Sequence, residues 1–234
     1  MIRFGKLSIL LFGLAAILII AIVWFWRPGL WYSAENLGHR LGAGVVNRYP
    51  ENTLEAFRES IEKLEGKDEY RYSECDLRET KDGEIVLFHD WDLARLVPDS
   101  EANRAALGVE VIGDQLLIKD LSLAQLQNLE LEEGCRIPTL EAFLECAAEL
   151  KPIKPILLEL KLFHDRETCS RVIELTKAFR EQTGLEIHFL AFVRNLKRSH
   201  PNPRQWLDEF RAAGFRVYQV YRPKTKEHDL CETW

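Results

Sequence analysis

Several absences narrow what this sequence can do. The formal net charge is -6, with acidic and basic residues interspersed, and no basic stripe is present. That removes the electrostatic footprint of a nucleic-acid binder, and any phosphate the chain handles is handled locally. No GxGxxG follows the first predicted strand, which counts against a dinucleotide-binding fold. The five cysteines, at 75, 135, 146, 169 and 231, form no CxxC pair and no metal-finger spacing. An odd number scattered through apparent core and helix positions reads as reduced, partly buried thiols and favours a reducing compartment around the domain. Internal repeats and low-complexity segments are also missing.

What is present begins with an uncharged run of 20 residues from Leu7 to Trp26. As a helix it would be about 30 Å long, enough to cross a bilayer core. Arg3 and Lys6 precede it, and Trp24, Trp26, Trp31 and Tyr32 cluster at its far end as an interfacial aromatic belt. The bulky WFWRPGLWY that follows lacks a small-x-small cleavage site, so the segment reads as an uncleaved anchor rather than a signal peptide. Positive charges lie on both sides of it, and the side of the membrane that the rest of the chain faces stays open. The expected division is a single-pass membrane anchor over residues 1–31, with its transmembrane helix at about 7–26, and a globular domain over 32–234.

Within that domain, hydrophobic periodicity predicts alternating strands and helices. Strands are expected at Glu35–His39, in two runs within Tyr70–Asp90 joined by the polar turn Lys81-Asp82-Gly83, and at Pro155–Lys161, Ile187–Val193 and Arg216–Tyr221. Helices are expected at Pro50–Leu64, Ser122–Leu131, Thr139–Leu150, Asp165–Gln182 and Arg204–Ala213. Asn52 with Glu55, and Ser122 with Gln125, have capping-box spacing. Trp91 to Lys119 is irregular and rich in charge, either a functional loop over the strand ends or a disordered insertion. The alternation argues for an α/β fold with a parallel sheet, open and doubly wound or closed into a barrel. The strand PILLELK, apolar on both faces, suits one covered by helices.

Chemistry-bearing residues gather at the predicted strand ends. Glu74 and Asp76 are two apart on one strand, hence cofacial, and offer hard oxygen ligands for a divalent cation. His89 ends the next strand, and His39 with Arg40 close the first. Glu159 and Lys161 are again two apart in an apolar strand, where unpaired charge is costly to bury. A simple salt bridge between those two is the plain alternative, though their side chains run parallel. In a (β/α)8 barrel such strand ends converge on one mouth. There, carboxylates holding a cation, cationic groups on phosphate oxygens and imidazoles moving protons suit metal-assisted displacement at phosphorus. His164, His188, His200 and His228 show no partner pattern and read as surface or core residues.

In series, these segments resemble the glycerophosphodiester phosphodiesterase family. The matching pieces are His39-Arg40, PENTLEAF at Pro50–Phe57, ECD at Glu74–Asp76, KDGEIVLFHD at Lys81–Asp90, IPTLEAFL at Ile137–Leu144 and LELK at Leu158–Lys161. The resemblance implies a (β/α)8 TIM-type barrel that hydrolyses glycerophosphodiesters to glycerol phosphate and an alcohol with a Mg²⁺ or Ca²⁺ ion. By matched position it implies Glu74, Asp76 and Glu159 as metal ligands and His39 and His89 as the acid and base pair. Arg40 and Lys161 would contact phosphate, and Glu51 would be a further member of the site. Three departures stand out: Leu41-Gly42 rather than glycine follows His39-Arg40, Leu190-Ala191-Phe192-Val193 replaces the usual Ser-Phe, and the late Trp-Thr-Val-Asn strand is missing. Six strands are predicted where a barrel needs eight, so two are irregular or the barrel is shortened at its C-terminal end. Two other readings follow from the anchor and the short C-terminal half. One is a lysophospholipase D acting on membrane lysophospholipids. The other is a non-catalytic, membrane-anchored degenerate barrel.

Overall fold

The computed structural model describes residues 36–42, 45, 48–161, 163, 166–192 and 203–220. The chain divides into two compact units, Met1–Asn36 and Leu37–Trp234, and the description below concerns the second. The expected transmembrane helix at about 7–26 lies outside the described residues. Among the described residues no helix is long and apolar enough to cross a membrane.

Five strands form one sheet: β1 (Ser73–Glu79), β2 (Ile85–Leu87), β3 (Ile156–Leu160), β4 (Ile187–Phe192) and β5 (Val217–Val220). Their order is β2-β1-β3-β4-β5, with β2 antiparallel to β1 and every other pair parallel. The helices are α1 (Leu54–Leu64), α2 (Glu101–Leu107), α3 (Leu123–Gln127), α4 (Leu140–Leu150), α5 (Arg166–Thr183) and α6 (Pro203–Ala212). The architecture is α/β, as the alternation predicts, but among the described residues the sheet is open, with β2 and β5 at its edges.

Period-2 alternation divides the sheet into two chemically different faces. Cys75, Leu77, Ile156, Leu158, Leu160, Ile187, Phe189, Ala191 and Val217 enter the main core, with Phe57 of α1, Phe143 of α4, Val172 of α5 and Phe210 of α6. The opposite face carries Glu74, Asp76 and Glu159, with a small apolar patch of Leu157 and Leu190 against Tyr72, Phe192 and Tyr218. Among the described residues β3 packs on helices on one face, and the other face carries the site residue Glu159 together with Leu157.

The predicted strand at Glu35–His39 is replaced by a turn into a 3₁₀ segment, His39–Leu41. The chain still runs against β1, because Leu37 N–H donates to Glu69 O at 3.1 Å and Glu74 N–H donates to Gly38 O at 2.8 Å. A Cβ on Gly38 would stand 2.0 Å from Tyr72 O, so only glycine permits this approach. Immediately afterwards Arg40 (φ 48°) and Leu41 (φ 62°) take the left-handed conformation that ends any ladder. Leu41 thus adopts, at some steric cost, a conformation that a glycine would adopt freely, and its side chain is fully buried.

Two helix starts separate a correct cap from an incorrect one. Ser122 and Gln125 make the predicted capping box at α3. At α1 the cap is Thr53, whose hydroxyl accepts from Ala56 N–H at 3.2 Å, not Asn52. Asn52, at φ 59°, is used elsewhere. The segment at residues 91–119, expected to be a functional loop over the strand ends or a disordered insertion, is folded, which removes the second alternative: Phe88, Leu93, Val97, Ile112, Ile118, Leu126, Leu129 and Ile137 build a second core around Val86. The four described cysteines, Cys75, Cys135, Cys146 and Cys169, are buried and form no disulfide among the described residues.

Candidate active site

The parallel register of β1 and β3 pairs Asp76 with Glu159, and strands lie about 4.8 Å apart, so the two carboxylates share one level of one face. Glu74 sits two residues earlier on that face. One carboxylate oxygen from each of Glu74, Asp76 and Glu159 lies within 4.8 Å of the others, and all three residues are buried. Each is held from the protein side. Arg40 N–H donates to Glu74 Oε2 at 2.8 Å. Asn52 clasps Asp76 twice, donating Nδ2 to Oδ2 at 2.8 Å and accepting the Asp76 N–H at Oδ1 at 3.1 Å. Lys161 Nζ lies 2.8 Å from Asp76 Oδ1 and donates to Glu159 Oε1, so the same-strand pairing that parallel side chains were expected to disfavour does form.

Gathering three carboxylates out of water opposes their ionisation. Burial, followed by the charges of Asp76 and Glu159, holds Glu74 well above the usual carboxylate range. Burial likewise raises Glu159 to about 7, against the pull of Lys161. Asp76 is the exception: burial pushes it up, but Lys161, His89 and the Asn52 hydrogen bond together bring it down to about 2. A divalent cation fits this donor set. Glu74 Oε1 is buried without a hydrogen-bond partner, two of the three acids are driven toward their protonated forms, and hard oxygen ligands at about 2.0–2.6 Å from one ion span up to about 5 Å.

Beside the carboxylates lies a closed ring of two arginines, two carboxylates and a neutral imidazole. Arg40 Nη1 donates to both oxygens of Glu51 at 3.1 Å, and its Nη2 lies 2.6 Å from His89 Nε2. A guanidinium has no acceptor, so Nε2 must accept, and the single proton of the neutral ring belongs on Nδ1. That nitrogen lies 2.6 Å from Asp90 Oδ1. Burial lowers the His89 pKa, which reinforces the neutral form. Arg95 closes the ring, binding Asp90 Oδ2 at 2.5 Å and the two Glu51 oxygens at 3.0 and 2.5 Å. Both arginines, with Arg95 the stronger, pull Glu51 below its ordinary pKa despite burial.

His39 stands apart, its side chain 58% exposed and its Nε2 3.8 Å from Glu74 Oε2. The backbone of His89 is fixed by Arg78, whose guanidinium donates twice to the His89 carbonyl, at 3.0 and 2.6 Å, under the Trp91 ring. Burial lowers Arg78 to about 10.

All eight candidate residues therefore meet at one rim of the sheet. Glu51 faces two arginines. Asn52, Arg78, Asp90 and Arg95 belong to the site without any site role that the sequence predicts: Asn52 has capping-box spacing, Arg78 and Asp90 are near neighbours of Asp76 and His89, and Arg95 has no local signal.

The model of the Glycerophosphoryl diester phosphodiesterase family matches residues 39–190. Among solved structures, a Silicibacter pomeroyi DSS-3 protein assigned as a glycerophosphoryl diester phosphodiesterase is 20% identical with a TM-score of 0.53, covering 75% of this chain. This chain spans 61% of that protein's length. The glycerophosphodiester phosphodiesterase of Thermotoga maritima is 23% identical (TM-score 0.42; 80% of this chain and 85% of that one). An Oleispira antarctica phosphodiesterase in complex with sn-glycerol-3-phosphate is 20% identical (TM-score 0.46; 80% and 83%). No curated protein matches. With the family pattern running from His39 through the whole acidic cluster and on to β4, this chain belongs to the glycerophosphoryl diester phosphodiesterase family.

Proposed function

We propose that the protein is a metal-dependent phosphoric diester hydrolase that cleaves glycerophosphodiesters to glycerol phosphate and an alcohol. The observation that carries this reading is the convergence of Glu74, Asp76 and Glu159 to within 4.8 Å beside two imidazoles and two cations. Those three carboxylates would hold a Mg²⁺ or Ca²⁺ ion. Such an ion polarises a phosphoryl oxygen and offsets charge that builds there.

The chain's own residues divide the remaining work. His89 is neutral, and its Nε2, which accepts from Arg40 Nη2 in the substrate-free site, would take a proton from an attacking hydroxyl once the guanidinium turns to a phosphate oxygen. His39, exposed and beside the Glu74 carboxylate, suits delivery of a proton to the departing alcohol oxygen. Arg40 and Lys161 bring positive charge to the phosphate oxygens, and Glu51 orients Arg40 rather than touching substrate. Asn52 fixes the rotamer of Asp76.

A (β/α)8 barrel, as the family implies, is the proposed complete fold; the parallel strands β1, β3, β4 and β5 would supply half of its eight, and β2 joins β1 antiparallel. A single-pass N-terminal anchor at about residues 7–26 is proposed from the sequence alone. That apolar run also favours a second substrate class, lysophospholipids held in the bilayer. The test is a screen of the full chain, with and without Mg²⁺ and Ca²⁺, against glycerophosphocholine, glycerophosphoethanolamine and micellar lysophosphatidylcholine. Metal-dependent release of glycerol phosphate from the soluble diesters supports the first reading. Strong preference for the micellar substrate, read as release of choline and lysophosphatidic acid, moves it to the second, and no metal-dependent hydrolysis of any of them removes both.

A further inference from the structure

Arg95 lies in the segment between β2 and α2, outside every motif that carries the family resemblance. Its side chain is about half exposed, at 47%, yet all three of its guanidinium nitrogens are engaged. Exposed single ion pairs contribute little, and an arginine with one carboxylate partner here would need no explanation beyond solvation. Arg95 instead takes a bidentate grip on Glu51 and a third bond to Asp90, which is a fixed planar geometry.

Each of its two partners holds a different working residue. Glu51 carries Arg40 through both oxygens, and Asp90 carries His89 through Nδ1. Arg40 and His89 then meet at 2.6 Å, closing the circuit Arg40, Glu51, Arg95, Asp90, His89. Glu51 and Asp90 are both anionic, and without a cation between them they repel. Asp90 would keep one bond, from the imidazole, and could rotate about it. The imidazole would then lose what fixes its proton on Nδ1, and Arg40 would lose the opposing pull that sets the plane of Glu51.

We propose that Arg95 is a positioning residue that fixes Arg40 and the Nδ1–H tautomer of His89 together, through Glu51 and Asp90. The catalytic part of this inference rests on the hydrolase reading above; the tautomer part does not. Misplacement of a reacting group by about 1 Å costs on the order of 100-fold in rate. Arg95→Ala is therefore expected to lower kcat by about 10- to 100-fold with KM changed by less than about threefold.

The experiment compares the full-length wild type, Arg95→Lys and Arg95→Ala in Mg²⁺-dependent hydrolysis of glycerophosphocholine, with and without added guanidinium ion, and NaCl as the ionic-strength control. It also records ¹⁵N shifts of the histidine rings at pH 8. The expected result is loss of kcat in Arg95→Ala, partial recovery in Arg95→Lys, and partial rescue of Arg95→Ala by guanidinium but not by NaCl. The His89 signal is expected to change from one tautomer to a mixture. Wild-type kcat in Arg95→Ala, or a loss that neither lysine nor guanidinium relieves while His89 keeps a single tautomer, overturns the proposal. If the wild type hydrolyses no diester, the hydrolase reading fails, and the tautomer comparison alone decides whether Arg95 orders His89.

Discussion

Loading the site with a divalent cation should release protons, and the number released should fall as pH rises. In the cation-free protein Glu159 titrates at about 7, burial being the main cause. A group with that pKa is protonated to about 0.9, 0.5 and 0.1 at pH 6, 7 and 8, and a cation that requires its carboxylate displaces that fraction. Glu74, also pushed up by burial, adds to the release, whereas Asp76, at about 2, adds nothing in this range. The same shift sets a stability window. Between the ordinary glutamate pKa of 4.5 and about 7 the folded chain keeps a proton that the unfolded chain has lost, so stability falls as pH rises through that interval. At 1.36 kcal/mol per pH unit the Glu159 contribution is about 3 kcal/mol, absent below 4.5 and complete above 7. Asp76 acts in the opposite sense, but its contribution is already complete above about pH 4 and leaves the window unchanged. A bound cation removes the penalty, so the melting-temperature increase produced by Mg²⁺ or Ca²⁺ should be larger at pH 8 than at pH 6. Titration calorimetry in two buffers of different ionisation heat counts the protons. Release that is zero at pH 6, or that grows between pH 6 and pH 8, would refute the reasoning.

Three further outcomes are expected. Gly38→Ala should weaken both stability and turnover, since its Cβ meets Tyr72 O at 2.0 Å and the movement that relieves the clash carries His39 and Arg40 with it; denaturant melts and kcat measure the two. At saturating cation the acid limb of the kcat/KM profile should lie below pH 6.5, because burial lowers the pKa of His89 and the base works in its neutral form; a limb that stays above 6.5 as the cation concentration is raised would speak against His89 in that role. Asn52→Ala should cost about 1–3 kcal/mol of stability by stripping two hydrogen bonds from the buried Asp76, and it should weaken cation binding in the same calorimetric titration.

The parts of this molecule that were legible in the sequence are those fixed by local periodicity. Alternation placed Glu74 with Asp76 and Glu159 with Lys161 on common faces, and the same rule identified five strands. Serine followed three residues later by glutamine gave the α3 start correctly. What escaped depends on contacts between distant segments. The chain at residues 37–39 has strand-like residues, but the press of Gly38 against Tyr72 and the positive φ of Arg40 and Leu41 make it a turn. Asn52 matches a capping pattern, yet Thr53 takes the cap and leaves Asn52 to Asp76, 24 residues away. Residues 91–119 look like a loop because their apolar side chains are spaced without period and find partners only when Ile118, Leu126 and Ile137 assemble around Val86. Arg95 is one of many charged residues there, and its importance appears only when Glu51, 44 residues earlier, is brought beside it.

The most direct measurement of the central claim, that Glu74, Asp76 and Glu159 hold one divalent ion, is an anomalous difference map from crystals of the protein grown with Mn²⁺. The account predicts a single peak within about 2–2.6 Å of an oxygen from each of the three carboxylates, lost in Glu74→Ala. A peak bound elsewhere, or none in a protein that still hydrolyses glycerophosphodiesters, would contradict it.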